Sequence, residues 1–187
     1  MTITRRFYIG LAVLFLATGA TVLAAGMKVE GTPAPMAPKP DMSALKFLIG
    51  TWQCSHLSSR RPGPFSSTQV YSIDPSGYWL IKDETTHKAS WIPREFHSEA
   101  KITYDALAKR WVRITTTDTG GYSVATAPMP RGMEKIYTYI IQTKVPDIAS
   151  YAPLVENKVS DTKKTMTTSF TETSGRVVNA KETCTKS

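Results

Sequence analysis

Histidine, cysteine and helical periodicity are all scarce in this chain of 187 residues, and each shortage removes a class of function. The three histidines are His56, His87 and His97, with no H-x-H or H-E-x-x-H spacing among them. Zinc sites need several ligands converging on one point. Asp83 and His87 share parity on one strand and could meet His56 from another, but this is no metal motif, so no metal site is expected. The two cysteines, Cys54 and Cys184, form no C-x-x-C, which excludes a thioredoxin-type redox site. There is no G-x-S-x-G elbow of the hydrolase type. Asp83 and Glu84 are neighbours on a strand, so they point to opposite faces and cannot flank a glycosidic bond. No window of ten or more residues in the main domain repeats its apolar residues at helical spacing.

Concentrated positive charge is missing too. The chain carries +8, from 23 basic and 15 acidic residues. Removing Arg5, Arg6, Lys28, Lys39, Glu30 and Asp41 leaves 19 basic and 13 acidic residues, so the main domain carries +6. Its densest clusters are only pairs: Arg60-Arg61, Lys109-Arg110 and Lys163-Lys164. A nucleic-acid site needs a stripe or patch, so nucleic acid is not an expected partner. A dispersed basic surface suits solubility or an envelope polyanion.

What is present begins with an export signal. Arg5 and Arg6 precede an apolar run from Phe7 to Leu23, and the small residues Ala24, Ala25 and Gly26 follow. Residues 1–26 read as a signal peptide cleaved after Ala24 or a residue or two later. An uncleaved anchor is the competing reading, because such a run is just long enough to span a bilayer. After cleavage no membrane span remains. Residues 27–43 carry Pro33, Pro35, Pro38 and Pro40 and read as an extended linker. Residues 44–187 form one domain by size. The expected location is periplasmic or secreted, where Cys54 and Cys184 can form a disulfide.

That domain reads as all-β. Strands are expected near 51–58, 66–73, 78–86, 95–104, 110–117, 122–127, 134–143, 155–160, 165–173 and 176–185. The turns between them have sound chemistry. Asp74-Pro75-Ser76-Gly77 supplies proline's fixed φ and a glycine for positive φ. Asp118-Thr119-Gly120-Gly121 and Ser174-Gly175 read as hairpin loops. Met42 to Ile49 allows a short helical turn, and Val145 to Pro153 reads as an irregular loop that could serve as a lid. Cys54 lies in the first strand and Cys184 in the last. A bond between them makes first and last strands neighbours, which closes an antiparallel sheet into an up-and-down barrel of 8–10 strands.

Phe47-Leu48-Ile49-Gly50-Thr51-Trp52 resembles the Gly-x-Trp opening of lipocalin-like, or calycin, barrels. Gly77-Tyr78-Trp79-Leu80-Ile81-Lys82-Asp83-Glu84, Ile102-Thr103-Tyr104-Asp105, and Trp111-Val112-Arg113 running to Gly120-Gly121-Tyr122 fit in the same order. Together they resemble an uncharacterised exported bacterial family, a domain of unknown function. The resemblance implies a barrel closed at its base by the Gly-x-Trp element. It implies no activity, since one fold hosts many functions. Nitrobindin-like haem barrels share the early element but use a histidine near the C-terminus. Here no histidine follows His97, so no haem, and no other cofactor, is expected.

Alternation places Phe96, Ala100, Ile102 and Tyr104 inward and His97 on the outer wall. Trp52, Cys54 and His56 share a face, as do Glu182 and Cys184. In strand 78–86 both faces mix apolar and charged residues, and alternation does not orient it. Trp52, Tyr71, Trp79, Phe96, Tyr104, Trp111, Tyr122 and Tyr137 are the aromatics expected to line a cavity. Arg113, between Trp111 and Thr115, is the residue that would anchor an anionic head group if it points inward. The function expected is non-enzymatic binding of a small hydrophobic or amphipathic ligand. The alternatives are a filled structural or partner-binding envelope barrel, and a barrel-cavity isomerase or cyclase.

Overall fold

The computed structural model describes residues 38–128 and 135–187, and for 135–138 the backbone only. The expected signal peptide, 1–26, and most of the expected linker, 27–43, lie outside the described residues. Eleven strands follow a 3-10 turn at Ser43–Leu48: β1 (Gly50–Ser58), β2 (Phe65–Ile73), β3 (Leu80–Thr86), β4 (Phe96–Asp105), β5 (Arg110–Thr117), β6 (Tyr122–Ala127), β7 (Lys135–Ile141), β8 (Ile148–Tyr151), β9 (Leu154–Ser160), β10 (Lys163–Glu172) and β11 (Val177–Lys186). Each of β1 to β6 pairs antiparallel with the next. β7 then pairs with β9, β9 with β10, β10 with β11, and β11 with β1. Ten strands thus form a closed up-and-down barrel.

The closure is covalent. Cys54 sits directly opposite Cys184 in the β1–β11 register, with Cα atoms 4.1 Å apart, and the two form a disulfide. That spacing belongs to a non-hydrogen-bonded antiparallel pair, where facing side chains come closest. A disulfide is the chemistry of an oxidising compartment. Among the described residues no helix is long and apolar enough to cross a membrane.

The Val145–Pro153 segment differs from its expected irregular form. Ile148–Tyr151 is a strand, β8, whose Tyr151 pairs with Phe170 of β10. β8 and β9 lie end to end along β10, and the break falls at Ala152-Pro153. Proline has no N–H to give to the ladder, so the strand stops there and resumes at Leu154. The segment is therefore held by the sheet rather than poised as a loose lid.

The turns follow their sequences. Gly77 N–H donates to the Asp74 carbonyl at 2.9 Å, and Gly77 has φ +75°. Gly50 has φ +119°, and a Cβ there would lie 3.0 Å from Lys186 Cε. The opening Gly-x-Trp element therefore requires glycine at that position.

The barrel base is packed with apolar side chains. Leu45 and Leu48 of the 3-10 turn fold against Trp52, Leu80, Ile102, Trp111 and Tyr139. The Trp52 indole N–H donates to the Leu48 carbonyl at 2.7 Å, and Lys186 Nζ donates to the Phe47 carbonyl at 2.8 Å. Met42, in the expected linker, is also buried in this cluster.

Candidate functional site: a charged layer beneath an open cavity

Above the apolar base, the inward positions turn polar. On β1 the inward set runs Trp52, Cys54, His56. On β2 it runs Tyr71, Gln69, Ser67, Phe65 from base to mouth. On β3 it is Leu80, Lys82, Glu84 and Thr86. β10 contributes Lys164 and Met166, β11 contributes Glu182, β9 Glu156 and β5 Arg113. An inward charge is costly unless paired, and here the pairs are built in.

Lys82 Nζ donates to Glu84 Oε2. Lys164, only 1% exposed, donates to Glu156 Oε1 at 3.2 Å and lies 3.6 Å from Glu182 Oε1. Gln69 stitches the two sides together. Its amide donates to Glu84 Oε1 at 3.1 Å and to Glu182 Oε2 at 3.0 Å, while its carbonyl accepts from Lys164 and from the Tyr71 hydroxyl. The Lys82 ammonium and the hydroxyl and amide donors around Glu84 hold its carboxyl well below the usual range, against the opposing effect of burial. Burial also acts against the charge on Glu156, but Lys164 and Arg113 override it and hold its carboxyl low. Lys164 titrates above its ordinary range: burial opposes its charge, but Tyr71, Glu156 and Glu182 outweigh it. Burial raises the Tyr71 phenol.

His56 stands at the top of this layer. Its Nε2 is 2.7 Å from Ser67 Oγ, and its Nδ1 is 3.5 Å from Glu182 Oε2. The spacing has the outline of a serine–histidine–acid relay. The chemistry does not follow, because Ser67 is 0% exposed and its hydroxyl donates to Glu84 Oε1 at 2.8 Å. No substrate carbonyl reaches that oxygen, and a carboxylate beside it would repel a developing oxyanion. Ligand atoms of His56, Glu84 and Glu182 also lie within 4.8 Å of one another. Lys82 and Lys164 already neutralise those carboxylates, so the donor set suits an internal ion network better than a dication. Asp83 and His87 do not join it. Asp83 points outward from β3, and His87 contacts Thr68 and Glu95.

Over this layer opens a cavity of about 580 Å³. Its apolar wall is Phe65, Trp91, Ile92, Phe96 and Met166; Lys82, Glu84, Arg113 and Glu182 are among its polar lining. The β3–β4 connection forms part of the rim and is pinned by an Ala89–Ile92 bridge. Trp91 packs edge-on against Phe65 at 5.5 Å, and Phe65 stacks on the His56 ring at 4.5 Å. Arg61 lies over the Trp91 ring. A column of rings thus runs from the rim to the charged layer.

The expected lining residues are divided among different places. Phe96 and Arg113 line the cavity. Trp52, Tyr71 and Trp111 are buried in the base cluster, with Tyr104 packed edge-on against Trp111. Trp79 closes the β2–β3 turn, where its backbone N–H donates to Asp74 Oδ1 at 3.0 Å. Tyr122 is 65% exposed on β6. The Tyr137 side chain lies outside the described residues. His97 occupies the outer wall, with its ring 3.2 Å from Thr85 Oγ1.

Sequence reasoning alone did not single out the charged layer. The usable signal was the cysteine pair. Cys54 and Cys184 face each other across β1 and β11, so residues two further along, His56 and Glu182, must share their face. Glu182 then demands a buried cation, which Lys164 supplies.

No family model matches the chain, and no curated protein matches it. Among solved structures, a protein of unknown function from the DUF3598 family of Nostoc punctiforme PCC 73102 is similar over 84% of this chain, at 16% identity and a TM-score of 0.40. The match covers 53% of that protein, so this chain spans about half its length.

Proposed function

We propose that this protein is an exported, non-enzymatic barrel that holds a small hydrophobic or amphipathic molecule in its mouth. The observation carrying this reading is the cavity of about 580 Å³, with an aromatic wall on one side and fixed polar groups below. That size and lining suit a small ligand held by apolar contact and oriented by a few polar groups. The resemblance of Gly50-Thr51-Trp52 to lipocalin-like openings supports the same use of the barrel. The apolar run from Phe7 to Leu23, the small residues after it and the disulfide support export. Phe96 and Arg113 would touch the ligand; Trp52, Tyr71 and Trp111 would form the sealed floor.

The test is titration with the neutral fluorescent probe N-phenyl-1-naphthylamine. Saturable one-to-one binding is expected, and Ser98→Trp, which fills the cavity from β4, should abolish it. Absence of saturable binding, or binding indifferent to Ser98→Trp, would sink the reading. A structural, partner-binding envelope barrel is the second reading. The filled base favours it, and it predicts no uptake of the probe.

A further inference from the structure

Among the described residues, both interior lysines make ion-pair contacts with interior carboxylates, and the interior arginine makes none. Lys82 is bonded to Glu84; Lys164 is bonded to Glu156 and sits beside Glu182. Gln69 takes up further acceptor capacity on Glu84 and Glu182. Arg113 makes no such contact, although its charge reaches Glu156 and helps to hold that carboxyl low. Among the described residues no carboxylate oxygen lies within the 4.0 Å of an ion pair from its guanidinium. Its direct contact is with the face of the Tyr139 ring, 5.7 Å from the guanidinium carbon to the ring centroid.

The register explains why. Arg113 lies opposite Ile102 on β4 and Ala125 on β6. Both cross-strand neighbours are apolar and buried, so neither offers an acceptor. Trp111 precedes Arg113 on its own inward face and Thr115 follows it toward the mouth. Arg113 therefore presents its donors to the cavity it lines. A guanidinium carries five N–H donors in a rigid fork. The Arg113 nitrogens are not among the buried side-chain atoms of the described residues that lack a partner, so their acceptors come from the cavity, as solvent or as a ligand's oxygens. Arg113 does complete a count of three cations against the carboxylates Glu84, Glu156 and Glu182, but those carboxylates are held by the two lysines and by Gln69.

We propose that Arg113 is the anchor for an oxyanion, and that the ligand of the mouth cavity is an amphipathic monocarboxylate. This rests on the ligand-binding reading above and names its ligand class. A planar carboxylate matches the guanidinium fork with two parallel hydrogen bonds. The apolar remainder of such a molecule has Phe65, Trp91, Ile92, Phe96 and Met166 to lie against. One guanidinium fork takes one carboxylate, which sets the charge at one. A dianion would bring a second negative charge toward Glu84 and Glu182, which line the same cavity.

Decanoate and decanol make the test, each displacing N-phenyl-1-naphthylamine from the protein expressed from its full-length sequence. Decanoate should bind at least about tenfold more tightly than decanol, the scale of one charge-assisted contact. Arg113→Gln should bring decanoate and decanol to equal affinity, whatever its own affinity for the probe. Arg113→Lys should keep part of it, since lysine retains the charge but not the fork. Equal affinity of the unmodified protein for decanoate and decanol would overturn the anchor and leave the binding reading intact. This comparison needs no variant, so a folding defect in Arg113→Gln cannot obscure it. Failure of the probe itself to bind would overturn both.

Discussion

The two halves of the barrel interior are built on opposite principles. The base is a sealed apolar plug, in which Leu45, Leu48, Trp52 and Trp111 are all buried to within about 1% of full exclusion from solvent. The half above it is lined with charge and opens to solvent through the cavity. The base has one requirement, tight packing, and any well-shaped apolar set meets it. The charged layer works only as a complete set, because each buried ion depends on a named partner. The difference teaches where stability and recognition reside. The base holds the fold, and the layer above it presents fixed polar groups to whatever enters.

The disulfide lies at the boundary, between Trp52 below and His56 above. Breaking it should give the largest loss. Replacing both cysteines by serine opens a loop with a sequence separation of 130 residues. The expected destabilisation is about 4–5 kcal/mol in the chain-entropy model. Denaturant unfolding under oxidising conditions measures it. Under reducing conditions the variant and the parent should converge; an equal gap in both would show that the cysteines act by packing alone.

Removal of a single charge probes the upper half directly. Lys164→Met should cost about 3–5 kcal/mol, because it leaves Glu156 and Glu182 buried without their cation. Adding Glu156→Gln should recover part of that loss. A Lys164→Met variant as stable as the parent would mean the layer is wetter and less interdependent than its geometry implies.

These expectations bear on what the sequence could reveal. Strand positions were readable because turn chemistry such as Asp74-Pro75-Ser76-Gly77 punctuates regular alternation. The closure was readable from the two cysteines. β8 was hidden because Pro153 sits beside it, and a short strand next to proline looks like a loop. The charged layer was hidden because alternation arguments expect apolar residues inside. In β3 that rule fails: Leu80, Lys82 and Glu84 share the inner face, and the Lys82–Glu84 pair together with Ser67 and Gln69 of β2 makes this tolerable. Arg113 could be marked on β5, but its direction depended on Ile102 and Ala125 across the sheet.

The smallest expected effect concerns pH. Burial holds the His56 imidazole below its ordinary value of about 6.5, although Glu182 and Glu84 pull the other way. The ring also faces Lys82 and Lys164, which oppose its protonation. As pH falls below about 6.5, the unfolded chain takes up this proton before the folded one does. Stability contributed by neutral His56 is thus full above that pH and is lost as pH falls toward the folded-state value. The contributions of Glu84 and Glu156, whose carboxyls are held low, are lost only in the more acidic range. His56→Gln should flatten the stability profile just below pH 6.5 and leave the acidic limb in place. An unchanged profile would place the titration elsewhere.

The division between sealed base and binding mouth is tested most directly by the indole N–H signals of the four tryptophans. Trp91 is in the cavity wall, Trp52 and Trp111 are in the base, and Trp79 is at the β2–β3 turn. In a nitrogen-15 correlation spectrum titrated with decanoate, the Trp91 signal should move and saturate while those of Trp52, Trp79 and Trp111 stay in place. Movement of Trp52 or Trp111 with Trp91 unmoved would contradict the account, because the ligand would then occupy the base that packing has closed.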